Sequence, residues 1–265
     1  MQEDCRKDHL KEDGKKVKYK AICFDIDGTL YPIGIMNRRI FRLSAAHPLF
    51  GLKYRKARRE FRRNQASFAK TIPFRWREAA IIQTGTGAEP EHEFSEEAFR
   101  KLYGKTYDRL DRWAYRKMER LYRQTKTFDG VSETLKRIRN NGLKVGVFTD
   151  FPLFRKLEGM GLASLVDFAA SSDDAGFLKP DTHCFEYLLY NLKMGPQDVL
   201  YVGDSYEKDI VGANAASIDA VLVNVRGLEP GDAQTKYPLA KAVFGTWGEF
   251  DEWLTALLEA GTEDN

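Results

Sequence analysis

The chain has 265 residues, of which 43% are apolar and 12% aromatic, enough for one large domain or a core carrying an insertion and unlike a disordered chain. Its three cysteines, Cys5, Cys23 and Cys184, form no CxxC pair, which argues against a disulfide framework or a thiolate zinc site and fits a reducing, cytoplasmic setting. The net charge of +3 hides an asymmetry: residues 37–126 hold 23 Lys and Arg against 10 Asp and Glu, and the remainder holds 19 against 29.

Residues 1–17 are charged throughout and lack the apolar stretch of a secretory signal, so they read as a frayed tail. No later segment approaches the length of a membrane span. Six short apolar runs follow, at Lys20–Asp25, Leu143–Thr149, Val166–Ala170, Val199–Val202, Ala220–Val225 and Ala242–Phe244, with the length and β-branched content of buried parallel strands. Between them, Val131–Asn140, Pro152–Met160, Asp181–Leu192 and Glu207–Ala216 read as helices, with Gly142 placed to terminate the first. Alternating strands and helices predict an α/β core, a doubly wound parallel sheet, over 18–36 and 127–265.

The basic segment 37–126 reads as helix without a clear strand, an inserted unit in two halves around the loop 84–93. Ser95 is placed as a helix N-cap, and Phe99, Leu102, Tyr103, Leu110, Trp113, Ala114, Leu121 and Tyr122 form an apolar stripe behind it. Lys53–Arg63 is the densest run of positive charge. It reads chiefly as a solvated helix face whose stems cover apolar neighbours, with attraction of an anionic substrate as the alternative. No nucleic-acid motif accompanies it, so nucleic acid is not the expected partner.

Chemistry concentrates at strand ends. The first apolar run stops at Asp25-Ile26-Asp27-Gly28-Thr29, where two acids two residues apart would share a face and project into the crevice at the carboxyl edge of the sheet. Two carboxylates about 4 Å apart repel by roughly 4 kcal/mol at an effective dielectric near 20, so a cation or a shared proton should accompany them. A hard divalent ion such as Mg²⁺ suits such oxygens. Downstream, Thr149-Asp150 closes a second strand, Lys179-Pro180 precedes a helix, and Gly203-Asp204 closes another strand with Asp209 five positions after Asp204.

In this order and spacing the four pieces resemble the haloacid dehalogenase superfamily, and the insertion resembles the helical cap of its phosphoglycolate phosphatase-like and β-phosphoglucomutase-like branch. The resemblance implies a Rossmann-like core and a magnesium-dependent phosphatase acting on a small phosphorylated metabolite. It implies Asp25 as the nucleophile that forms an aspartyl phosphate and Asp27 as the general acid and base. It further implies that Gly28, Thr149, Asp150 and Lys179 contact the phosphoryl group. Asp25, the Asp27 carbonyl, Asp204 and Asp209 would hold Mg²⁺. Asp150 stands where relatives often carry Asn, and Ser217 where a glycine is common. A phosphomutase with the same core, or a binding protein using the basic insertion, are the alternative expectations.

Overall fold

The computed structural model describes residues 18–65, 72–86, 95–122, 125–153, 155–227 and 231–260. The tail expected at 1–17 and most of the loop expected at 84–93 lie outside them. Each apolar run forms a strand because it is too short for a buried helix and its backbone finds neighbours on either side. The strands are β1 (Ala21–Phe24), β2 (Lys144–Thr149), β3 (Phe168–Ser171), β4 (Val199–Gly203), β5 (Asp219–Leu222) and β6 (Ala242–Val243). They pair in parallel in the order β3-β2-β1-β4-β5-β6.

Although the runs read as continuously apolar, their alternation sorts them between two faces. Ile22 and Phe24 of β1, Val145 and Val147 of β2, and Leu200 and Val202 of β4 pack on one side, whereas Ala21, Cys23, Phe148, Val199 and Tyr201 pack on the other. Between β1 and β2 lie α1 (Gly34–Ala46), α2 (Pro48–Asn64), α3 (Phe74–Thr84), α4 (Glu96–Leu110) and α5 (Arg116–Tyr122), with a π turn at Asp111–Tyr115, and then α6 (Val131–Asn140). α1 to α5 are the expected helical insertion. Ser95 caps α4 by accepting from the Ala98 amide, and Gly142, with φ of 76°, follows the end of α6. The apolar stripe is buried at Phe99, Leu110, Trp113, Ala114 and Tyr122, but Leu102 is 55% exposed.

Later elements are shorter than their runs suggest. β3 begins at Phe168, and Asp167 just before it meets β2 twice at Val145: its amide donates to the Val145 carbonyl and its Oδ2 accepts from the Val145 amide, each at 2.8 Å. The helix expected over 152–160 contracts to α7 (Lys156–Gly159), after which come α8 (Ser172–Ala175) and α9 (Thr182–Leu192). Where 207–216 reads as one helix, a π turn at Tyr206–Val211 leads into α10 (Gly212–Ala215). The chain closes with α11 (Ala233–Lys236) and α12 (Trp247–Ala260).

α6 and α12 seal one face of the sheet. Phe250 is fully buried at ring-centroid distances of 6.3 Å from Phe24 and 5.1 Å from Trp247. Phe24 immediately precedes Asp25, so this packing also seats the first acid. Truncating so buried a ring removes transfer energy and leaves a cavity. Phe250→Ala is expected to lower the free energy of unfolding by ~3–5 kcal/mol. An unchanged urea midpoint would show that other contacts seal this face.

Candidate active site

Strand register brings the separated acids together. Phe24 of β1 lies opposite Val147 of β2 and Val202 of β4, so Asp25 and Asp204, just beyond β1 and β4, and Thr149, the last residue of β2, gather at one edge of the sheet. β1 is where the connections turn to opposite sides, the crevice in which open parallel sheets bind ligands. Asp25 is held there by its amide, which donates to the Val202 carbonyl at 2.9 Å.

Asp25, Asp204 and Asp209 each offer a carboxylate oxygen within 4.8 Å of the others. Asp209 arrives from the π turn, and the Ser205 amide donates to its Oδ2 at 3.0 Å. Glycine at 203 makes this possible, since a Cβ there would lie 2.3 Å from Asp209 Cγ. Gly28 serves similarly: its φ is 103°, and a Cβ would fall 2.0 Å from Asp204 Oδ2. Asn224 holds this loop by donating to the Gly28 carbonyl at 2.8 Å.

Lys179 lies inside the acid cluster, almost fully buried, donating to Asp25 Oδ1 at 2.7 Å and Asp209 Oδ1 at 2.6 Å. Burial works against its charge, but Asp209 and Asp25 outweigh burial and hold it well above the usual lysine range. Burial pushes the Asp25 carboxyl up to about 8, against Lys179 and helped by repulsion from Asp209, Asp27 and Asp204. Burial and Asp209 likewise raise Asp204 to about 6. Asp25 and Asp204 resist ionisation because they are crowded and desolvated, which a hard divalent cation relieves, and together with Asp209 they supply the oxygen donors such an ion prefers. The residues present therefore fit magnesium.

The carboxylate of Asp27 is not part of that trio. It accepts from Tyr31 Oη at 2.5 Å, Tyr122 Oη at 3.3 Å, Thr149 Oγ1 at 2.8 Å and Lys156 Nζ at 2.6 Å. Burial would raise this carboxyl, but Lys156 and the hydroxyls lower it. Only the Asp27 main chain is left for the expected metal contact. Asp150, expected at the phosphoryl group, turns its carboxylate elsewhere: it accepts from Ser172 Oγ and the Lys179 amide, each at 3.0 Å, and from Arg62 at 2.8 Å. Its side chain thus ties α2 to the loop carrying Lys179.

Sequence reasoning did not single out Lys156, Tyr31, Tyr122 or Arg62. Lys156 has no exposed surface, and its ammonium lies 4.2 Å from the Tyr122 ring centroid. The basic run on α2 is solvated at Lys53, Arg55, Lys56, Arg59 and Arg63, but Arg58 is buried and Arg62 is turned inward. Removing one partner of a buried pair strands the other charge, so Lys156→Met should lower unfolding free energy by ~3–5 kcal/mol. Adding Asp27→Asn should recover more than half of that loss. Denaturant titration of the cycle tests the coupling, and additive losses would dissolve the pair.

The chain is similar to several known proteins. A ribulose-1,5-bisphosphate 5-phosphatase of Halopiger xanaduensis is 26% identical over 219 residues, 76% of this chain and 83% of that protein. Haloacid dehalogenase-like hydrolase domain-containing protein 3 of Bos taurus is 37% identical over 110 residues, 41% of this chain, and the match spans 43% of that relative's own length. Among solved structures, a 2-haloacid dehalogenase of Pseudomonas syringae shares the fold, with a TM-score of 0.55 at 20% identity over 89% of this chain and 98% of that one. A model of the haloacid dehalogenase-like hydrolases matches residues 19–217, a span that takes in all four acids, Thr149 and Lys179, and the chain belongs to that family.

Proposed function

We propose that this hydrolase is a magnesium-dependent phosphatase of small phosphate monoesters, working through an aspartyl phosphate on Asp25. The observation that carries the reading is the convergence of Asp25, Asp204 and Asp209 within 4.8 Å beside Lys179 and Thr149. Relatives named as phosphatases support it: glyceraldehyde 3-phosphate phosphatase of Methanopyrus kandleri is 27% identical over 210 residues, 77% of this chain and 83% of that protein.

In this reading a carboxylate oxygen of Asp25 attacks phosphorus as the ester P–O bond breaks. The leaving oxygen takes its proton from Asp27. Water then attacks the aspartyl phosphate, gives a proton to Asp27 and restores Asp25. Lys179 holds one Asp25 oxygen by a 2.7 Å hydrogen bond and adds positive charge where the phosphoryl oxygens gather. Lys156 and the hydroxyls of Tyr31, Tyr122 and Thr149 favour the ionised Asp27 carboxylate that accepts the proton from water, and the proton it gains there is the one it gives to the next leaving oxygen. Magnesium, held by Asp25, Asp204, Asp209 and the Asp27 main chain, would supply charge neutralisation between these carboxylates and the phosphoryl oxygens.

Asp25→Asn should reduce phosphate release from 4-nitrophenyl phosphate by ~10³-fold or more, as expected for loss of a covalent nucleophile. Turnover retained in that variant would remove Asp25 from the role.

The raised carboxyls also set a pH dependence. Between the ordinary aspartate value of 3.8 and about 8, the folded protein binds more protons at Asp25 than the unfolded chain does. Without metal, stability is therefore lost as pH rises through this window. The cation needs the ionised acids, so its affinity rises over the same range. Saturating Mg²⁺ should raise Tm more at pH 8 than at pH 6, and equal gains would remove these acids from the metal site.

A further inference from the structure

The insertion carries a feature that neither the four acids nor their lysines use. α2 contains seven Lys and Arg and a single acid, Glu60. Five of the arginines, Arg55, Arg58, Arg59, Arg62 and Arg63, recur at helical spacing and line a cavity of about 410 Å³. Like charges three and four residues apart repel along a helix. Glu60 forms no ion pair with them among the described residues; its carboxylate accepts from Asn64 at 2.7 Å. Favourable interaction with the helix dipole accounts for Arg62 and Arg63 in the last turn, but not for Arg55, Arg58 and Arg59.

Two of the five anchor the cavity to the catalytic edge. Arg62 reaches Asp150 Oδ2 at 2.8 Å and the Lys179 carbonyl at 3.4 Å, and Arg58 donates to the Asp150 carbonyl at 3.4 Å. Asp150 adjoins Thr149. Arg58 is itself almost wholly buried, with its guanidinium 4.5 Å from the Phe151 ring and 3.7 Å from Glu78. Arg55, Arg59 and Arg63 form no ion pair with another described residue and remain exposed. The cavity is thus an open depression lined by two tethered arginines and three exposed ones. Its volume suits a small ligand rather than a polynucleotide, which needs an extended groove and stacking surfaces.

From this we infer that the arginine cavity binds a second anionic group of the substrate, so that the enzyme acts on small molecules carrying a phosphoryl or carboxylate group besides the one that is cleaved. Guanidinium forks pair bidentately with both kinds of group. The inference builds on the phosphatase reading, since it assigns the cleaved group to Asp25.

Calorimetric binding to the full-length Asp25→Asn protein with Mg²⁺ tests it without requiring turnover. The probes are propyl phosphate, 1,3-propanediol bisphosphate and 3-phosphopropionate, with longer homologues in each series. One of the doubly anionic series should bind ~10-fold or more tighter than the monophosphate of matched length, and whichever series does so identifies the distal group. The triple variant Arg55→Ala/Arg59→Ala/Arg63→Ala in the same background should cut that preference by ~10-fold, with the monophosphate affected much less. Because these positions are exposed, an unchanged Tm certifies the fold. Equal affinity for the singly and doubly anionic ligands overturns the inference, as does an equal loss for both in the variant. It is also overturned if the arginines serve only to hold a single-stranded oligonucleotide with steep salt dependence while the preference between small ligands survives their removal. If the wild-type enzyme hydrolyses none of these esters yet the binding preference is found, the phosphatase reading fails and the anion site stands.

Discussion

The cost of burying carboxylates at the mouth of a parallel sheet organises this molecule. Desolvation opposes ionisation at Asp25, Asp204 and Asp27 alike, and each answers it differently. Asp27 is compensated within the protein, by Lys156 and three hydroxyls. Asp25 and Asp209 share Lys179, whereas Asp204 forms no salt bridge among the described residues and feels Lys179 and Lys208 only at a distance. Four acids therefore face two buried lysines, and the deficit of two positive charges equals the charge of one divalent ion. The surrounding structure follows from keeping that deficit in one place: glycine at 28 and 203 so that backbone and carboxylate can touch, and a π turn that swings Asp209 back towards β4.

Much of this was legible in the sequence because it depends on local signals. A short apolar run that ends in an acid is a strand with a functional end, and three such ends, with a lysine loop between the second and third, point to both the sheet and the crevice. The boundaries that moved did so for reasons the run does not carry. At Asp167 the side chain takes the Val145 amide that a longer strand would pair through its backbone, and at Asp209 the side chain takes the Ser205 amide. The periodic reading of α4 placed Leu102 on the buried stripe, yet in the folded chain that side chain is 55% exposed.

The less legible residues are those whose meaning is set by a distant partner. Lys156 lies 129 positions from Asp27, and within its own segment it is one basic residue beside Arg155. Tyr31 and Tyr122 look like ordinary core aromatics, and their burial agrees. Only their hydroxyls, aimed at a single carboxylate, distinguish them. Arg58 was hidden by composition, since a run dense in charge reads as a solvated face even when one guanidinium lies against Phe151 and Glu78. Charge density reports how many ionic groups a helix carries. It does not report which of them the fold can compensate and bury.

These distant partners also connect the insertion to the chemistry. Tyr31 stands just before the first inserted helix and Tyr122 at the end of the last, and both donate to Asp27. Arg62 of α2 meets Asp150 on the neighbouring strand end, whose other oxygen receives the amide of Lys179. The insertion is thus fastened to the core through the acid next to Thr149 and through the acid two residues beyond Asp25. A displacement of α2 or α5 cannot leave both carboxylates unmoved, because each has hydrogen-bond donors on the moving element. Placement of the helical insertion and placement of the strand-end acids are consequently one mechanical problem, solved by the same few polar contacts.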